Sequence, residues 1–324
     1  MHTTPNTTPT AAPEPSPTFW VLGATGYVGK AVVRELYNKY PNARIIAVGH
    51  RRIDPWVMEH THFIMGHLGR FNFKWLLRFP PDCIFHCARM AGGNSWSRGR
   101  ASRNGERANL RWIEELSSLP KQPSVIYCSG TLMFGNQTET ITEGAPLSPI
   151  AYARFYRRAE QPWRDTEKLS DVRWAYPAWI LGHDSWFRVF FYEPALRNGF
   201  VPYYGDGNQQ MSLVNLRDCA HQIVGIHANG TPNTGYHIFA SKAISQRDFA
   251  QMIGDRLGLK VSPVSADELE KKYGRTVAEA LTSNIPVGTR YGSWKEQQKL
   301  QFAEVDKMLD SVLKDIEHVL PKMA

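Results

Sequence analysis

The sequence predicts an α/β fold of the Rossmann type, a doubly wound parallel sheet with a smaller C-terminal α/β region. A glycine turn, an alternation of elements and a break in rhythm carry that prediction. The apolar run Phe19-Trp20-Val21-Leu22 ends in Gly23, Gly26 and Gly29, and a helical pattern begins at once with Val28, Val32 and Leu36. Short, continuously apolar runs then alternate with helical stretches as far as Leu181, the pattern of strands buried on both faces of a parallel sheet. From about Gly182 aromatic and glycine-rich segments interrupt the alternation, among them Trp186-Phe187, Phe190-Phe191-Tyr192 and Tyr203-Tyr204-Gly205-Asp206-Gly207.

Strand, tight turn and helix start make the first stretch a site for a pyrophosphate. Glycine permits the turn and lets backbone approach the ligand, while unpaired N–H groups at the helix start point at the anion. Gly23, Thr25, Gly26, Tyr27, Val28 and Gly29 are the expected contacts. A second strand, Ala43 to Gly49, ends about twenty residues on, where a dinucleotide site reads the adenosine ribose. An acidic residue there would bind the 2′-hydroxyl of NAD. This chain has His50, Arg51 and Arg52 instead, and guanidiniums fork onto phosphate, so NADP is expected rather than NAD.

The remaining elements follow in order. Thr61 to Leu68 reads as a third strand leading into a loop, and Phe71 to Phe79 as a helix stopped by Pro80-Pro81. Cys83 to Ala88 is a fourth strand. Arg89 to Arg107 is a Gly/Ser/Arg-rich stretch leading into a helix through Asn109, Ile113 and Leu116. Ser124 to Ser129 and Arg173 to Leu181 are the fifth and sixth strands. Ser245 is an N-cap for a helix to Leu257. Trp294 to Leu320 is largely helical, with apolar positions at Phe302, Val305, Leu309, Val312, Ile316 and Leu320.

At 324 residues the chain suits a disordered leader over 1–17, a dinucleotide-binding unit over 18–182 with segments returning later, and 183–324 as mainly substrate-binding region and C-terminal helices. The leader is rich in Pro and Thr and lacks the basic start and apolar core of a secretory signal. Cys83, Cys87, Cys128 and Cys219 have no metal-ligand spacing, so a cytoplasmic protein without disulfides or metal is expected. The net charge of +8 is explained by a phosphate-rich cofactor or an acidic substrate. No nucleic-acid module and no run long enough to span a membrane is present, which leaves a small molecule as the expected partner.

These landmarks resemble the extended short-chain dehydrogenase/reductase superfamily, home of NAD-dependent epimerases and dehydratases, from Phe19 to roughly Gly258. Gly23, Gly26 and Gly29 match its TGxxGxxG fingerprint, with Leu22 where threonine is usual. Asp82 to Ala88 is similar to its D-V-V-F-H-L-A strand, so Cys87 and Ala88 are implied to lie beside the cofactor. Asn109 falls on a structural asparagine. Ala175-Tyr176-Pro177 through Gly182 looks like its R-P-x-x-x-x-G segment, placing Pro177 at the cofactor. Tyr204 to Gly207, followed by Leu213 to Asp218, resembles its G-D-G…V-x-D motif. His67 stands where an adenine-binding aspartate is common, with Leu68 beside it. Homodimers through two helices are common in the superfamily, so that assembly is an option here.

The catalytic positions depart from the pattern. The resemblance puts the family's Ser/Thr at Gly130, flanked by Ser129 and Thr131, either of which is a candidate. Its Tyr-x-x-x-Lys falls on Tyr152 and Tyr156, making Tyr152 the acid/base and leaving Tyr156 in place of the lysine. That lysine holds the nicotinamide ribose and lowers the tyrosine pKa from about 10. A charge ~5 Å away supplies roughly two pKa units at an effective dielectric near 20. Arg154 or a loop arginine is left to compensate, since Arg157 and Arg158 leave Tyr152's helical face. Tyr291 to Lys295 spells the motif literally but too late in the chain. Thr131-Leu132 replaces the acidic pair of the sugar dehydratases.

Arg89, Arg98, Arg100, Arg103 and Arg107 with Trp96 form either a pocket edge for a carboxylate, phosphate or coenzyme A, or a solvated loop. Trp179, Trp186, Phe187, Phe190, Phe191, Tyr203 and Tyr204 line a pocket or pack a core. The expected function is an NADP-dependent reductase or epimerase acting on a carbonyl or secondary alcohol of a small, partly apolar or acidic substrate. The alternatives are a catalytically degenerate NADP-binding sensor or scaffold, and a redox-neutral isomerase or cyclase.

Overall fold

The computed structural model describes residues 16–51 and 53–319. Arg52, Leu320 and residues 1–15 of the expected leader lie outside the described residues. Strands β1 (Thr18–Leu22), β2 (Arg44–Gly49) and β3 (His62–Met65) alternate with helices α1 (Tyr27–Lys39) and α2 (Pro55–His60). After a 3₁₀ turn at Leu68–Arg70 come α3 (Lys74–Arg78), β4 (Cys83–His86), α4 (Ser95–Ser117) and β5 (Ser124–Cys128). A second 3₁₀ turn, Thr131–Met133, precedes α5 (Ala151–Asp165), β6 (Val172–Pro177) and β7 (Trp179–Leu181). A π-helical turn at Arg188–Tyr192 leads to α6 (Glu193–Asn198), β8 (Phe200–Tyr204), β9 (Gln210–Met211), β10 (Leu213–Asn215) and α7 (Leu216–Asn229). The chain continues through β11 (Gly235–Ile238), β12 (Ile244–Ser245), α8 (Gln246–Leu257), β13 (Lys260–Val264), α9 (Ala266–Tyr273), α10 (Arg275–Thr282), α11 (Gly292–Gln297) and α12 (Val305–Val319).

The central sheet has the order β11-β6-β5-β4-β1-β2-β3 with every neighbour parallel. Alternate residues of β1 serve opposite faces, as the twofold strand period requires. Phe19 and Val21 pack with Val32 and Leu36 of α1 and Ile223 of α7. Trp20 and Leu22 pack with Trp112 and Leu116 of α4 and Trp163 of α5. A third core joins Leu181, Phe187, Phe191, Tyr204, Phe249 and Leu309. Phe187, Phe191 and Tyr204 are therefore core residues, whereas Trp179, Trp186, Phe190 and Tyr203 lie half-buried around them. No helix among the described residues is long and apolar enough to cross a membrane.

Three expectations change at element level. The Arg-rich stretch is helical from Ser95, because Asn94 and Ser97 form a capping box that outweighs the glycines around it. The long sixth strand divides at Ala178. Pro177 has no N–H to continue the ladder, and Trp179 N turns to Ser212 O, which pairs β7 with β10 instead. The closing helix is interrupted between α11 and α12, where the Asp218 carboxylate takes the N–H groups of Gln301 (2.8 Å) and Phe302 (2.7 Å).

Candidate functional site

The strand order reverses between β1 and β4, so a crevice opens at their carboxyl ends. Gly23 has φ +78°, and a Cβ there would lie 2.9 Å from the Ala88 backbone. A Cβ on Gly29 would collide with the Gly23 carbonyl. Gly26 caps α1 without any side-chain acceptor, leaving the first N–H groups of the helix for an outside anion. A cradle that side chains would fill, closed by uncapped donors, fits a pyrophosphate. Tyr27 turns its phenol into the protein, where burial pushes its pKa up, and offers the crevice only its backbone. Val28 packs partly into the core, and the Thr25 methyl lies close against Gly49.

At the tip of β2, the His50 and His67 rings meet edge to face at 4.6 Å. His67 Nδ1 accepts from Gly69 N (3.1 Å), which places any ring proton on Nε2. Burial, then His50, Arg70 and Arg51, hold the His67 pKa below its usual value. Arg51 is exposed, and Leu68 opens the 3₁₀ turn beside His67. Asp54, the next carboxylate along the chain, is engaged elsewhere. It accepts from Val57 N (3.1 Å) as the cap of α2 and pairs with Lys30 (3.2 Å).

The ends of β4 and β5 bring Cys87 and Cys128 together, with the sulfurs 3.3 Å apart. The Cys128 contact, burial and the neighbouring thiols raise the Cys87 pKa, so Cys87 lines the crevice as a thiol rather than a thiolate. Ser129 does not face the crevice freely. Its hydroxyl donates to Glu160 Oε2 (2.7 Å), and Glu160 Oε1 accepts from Arg164 (2.7 Å). Arg164 also donates to the Tyr176 hydroxyl (3.0 Å) and lies 3.7 Å above the Trp174 ring. Thr131 is buried at the start of its turn. A Cβ on Gly130 would touch only Pro177 O, at 3.7 Å.

Tyr152 and Tyr156 lie one turn apart on α5, their rings edge to face at 5.4 Å. Two cations approach the pair from the other side. Arg89 lies 3.9 Å over the Tyr156 ring, and Arg98 lies 5.3 Å over the Tyr152 ring. Burial pushes the Tyr156 pKa up to about 12 against the lowering pull of Arg89, so its phenol stays neutral. Arg154 is exposed and bonds Pro149 O (3.3 Å). The sequence left a loop arginine to compensate without saying which, because Arg89 and the α4 residue Arg98 meet α5 only in the fold. The literal motif is occupied elsewhere. Lys295 Nζ bonds Gln222 Oε1 (2.6 Å) and Phe239 O, and burial pushes its pKa down to about 8.

Among the described residues, no three His, Cys, Asp or Glu converge as metal ligands. A surface cavity of about 390 Å³ between α3 and α4, lined by Phe73, Leu77 and Arg111, shares no residue with this crevice.

The fold is a Rossmann-like α/β architecture, with a crevice at the carboxyl ends of β1 and β4. Residues 19–161 match the model of the NAD dependent epimerase/dehydratase family. None of the curated proteins matches it by sequence. Among solved structures it resembles UDP-glucuronic acid 4-epimerase from Bacillus cereus with UDP-glucuronic acid and NAD. The TM-score is 0.75 at 14% identity, covering 94% of this chain and 100% of that one. A human epimerase family protein with NADPH gives 0.73 at 16% identity, covering 92% and 99%. The dTDP-glucose 4,6-dehydratase of Bacillus anthracis with NAD gives 0.73 at 15% identity, covering 94% and 97%.

Proposed function

We propose that the protein is an NADP-dependent reductase or epimerase acting on a carbonyl or secondary alcohol, with Tyr152 as the proton-transfer group. The observation that carries this reading is the placement of two cations, Arg89 and Arg98, over the paired phenols of α5. They restore positive charge where the usual lysine is missing. The backbone of Gly23, Gly26, Tyr27, Val28 and Gly29 would hold the pyrophosphate. Ala88, Cys87 and Pro177 would wall the nicotinamide end. His50, Arg51, His67 and Leu68 would surround the adenosine, and the lack of a free carboxylate there among the described residues supports the 2′-phosphate. A nicotinamide, when bound, supplies or accepts hydride.

Tyr152 gives its proton to the substrate oxygen during reduction and takes it back during oxidation. Tyr156, kept neutral by burial, donates a hydrogen bond to the ribose or to Tyr152 but carries no proton in the reaction. Ser129 acts as a positioning residue: its tie to Glu160 fixes the turn that presents Gly130. Purified protein is expected to bind NADPH at least about tenfold more tightly than NADH, as one charge-assisted contact allows. Tyr152→Phe is expected to abolish turnover while cofactor affinity is kept. Unchanged turnover would remove Tyr152 from the mechanism.

A second reading, a cofactor-binding protein without turnover, is favoured by Gly130, which leaves the substrate oxygen without the usual hydroxyl donor. It would be supported by cofactor binding with no absorbance change at the reduced-nicotinamide band across a broad carbonyl and alcohol panel. A single robust turnover would end it.

A further inference from the structure

Arg98, Arg164, Arg173, Arg188 and Arg256 are the half-buried arginines of described placement. Four of them answer a carboxylate at 2.7 Å: Arg164 with Glu160, Arg173 with Asp171, Arg188 with Glu193 and Arg256 with Asp310. Arg98 answers none among the described residues. Its Nη1 donates to Thr276 Oγ1 (2.8 Å) and its Nε to Gly92 O (3.3 Å), both neutral acceptors. Its position is fixed from two directions. Gly92 packs so tightly on the first turn of α4 that a Cβ would collide with the Arg98 and Ser97 backbone, and Thr276 reaches it from α10. A guanidinium carries five N–H donors, so two neutral acceptors leave an edge of the fork unengaged. Partial burial makes that vacancy unfavourable, whereas a paired anion relieves it.

We propose that Arg98 anchors a carboxylate of the substrate, so that the protein acts on a small oxo or hydroxy acid. The proposal rests on the reading of Tyr152 as the proton-transfer group, because it is the position of Arg98 over the Tyr152 ring that ties anchor to reacting oxygen. The anion and the reacting carbon must then belong to one compact molecule, separated by a few bonds. A monoanion matches the charge at hand. Arg89, the neighbouring cation, already lies against the face of Tyr156, whereas a phosphate dianion would call for a second unengaged cation. The planar fork suits two coplanar oxygens, and a neutral ester of the same acid offers no such partner.

The test uses the full chain with NADPH and a panel of short 2-oxo and 3-oxo acids, their methyl esters and phosphorylated carbonyl compounds of similar size. Binding is followed by calorimetry and turnover by the reduced-nicotinamide absorbance. Wild type is expected to bind the best acid at least about tenfold more tightly than its methyl ester, the discrimination of a charge-assisted pair. Arg98→Gln is expected to erase that preference and raise KM for the acid far more than it lowers kcat, with NADPH affinity unchanged. Arg98→Lys, which keeps the charge and loses the fork, is expected to fall between, and it serves if Arg98→Gln does not fold.

Equal binding of acid and ester by wild type, absence of acid binding altogether, preference for the phosphorylated compounds, or a preference that survives Arg98→Gln would overturn the assignment. Tyr152→Phe separates the two readings. Loss of turnover with acid binding retained upholds both, whereas full turnover in that variant defeats the role of Tyr152 whatever Arg98 does.

Discussion

Gly130 and Tyr156 stand where the resemblance leads one to expect a hydroxyl and an ammonium, and the fold treats the two positions differently. Gly130 has an extended backbone (φ 174°), and a Cβ there would meet nothing closer than 3.7 Å, so the glycine is not imposed by packing. Tyr156 is held from above by Arg89, and its neighbour Tyr152 lies under Arg98. His86 carries a different kind of prediction. Its Nε2 faces Asn109 Oδ1 (3.1 Å), Asn109 Nδ2 is taken by Ala159 O (2.7 Å), and Nδ1 has no partner. Burial pushes the His86 pKa down to about 4. The unfolded chain gains a proton near its ordinary value of ~6.5 while the folded protein stays neutral to lower pH. Stability is therefore whole above that value and is lost as pH falls toward 4, by about 1.4 kcal/mol per pH unit at most. His67, His227 and His237 are shifted the same way and leave a residual slope. Urea midpoints between pH 7 and 4.5 should fall less steeply in His86→Gln than in wild type; parallel curves would discount this histidine.

At the scale of an element, α5 joins chemistry to stability along one face. Tyr152, Tyr156, Glu160 and Arg164 recur every four residues, so the two phenols lie in line with a buried ion pair. Glu160 is 2% exposed, and burial raises its pKa against the pull of Arg164 and Ser129. Glu160→Leu would leave the Arg164 guanidinium without its carboxylate and is expected to lower stability by about 3 kcal/mol, the low end for a broken buried pair. Glu160→Leu combined with Arg164→Met should recover most of that loss in urea unfolding, because no charge then remains buried. Failure of the double variant to recover would mean that the network holds the turn at Ser129 rather than balancing charge. Part of α5 was legible in the sequence: the placement of Tyr152 and Tyr156 at the start of a helix followed from the resemblance. The ion pair was not legible, because its burial depends on Ser129, Trp174 and Tyr176, which β5 and β6 bring to it only in the fold.

At the scale of the molecule, the C-terminal elements reach back to the crevice at two points. Thr276 of α10 holds Arg98, and Glu279 of the same helix accepts from Ala151 N (3.0 Å) at the start of α5. A carboxylate at that end also complements the helix dipole. Glu279→Ala is expected to lower stability by about 1 kcal/mol, the value of a lost cap. It should also raise KM more than it changes kcat, because α10 then seats less firmly over Tyr152. A stability loss with unaltered KM would reduce the contact to a structural one.

The sequence by itself determined the architecture and the glycine cradle. Both depend on local rules: the period of apolar residues, the backbone freedom of glycine and the position of a helix start relative to its strand. The resemblance also pointed to Tyr152 and to the departures at Gly130 and Tyr156, since these lie at fixed offsets along the chain. Only the tertiary structure decided that Ser129 is tied to Glu160, that Asp54 is withdrawn into a helix cap, and that Arg89 and Arg98 stand over the α5 phenols. Each of these depends on a long-range approach between elements, and the free energy of a charge is set by what surrounds it in space, not by its neighbours in the chain.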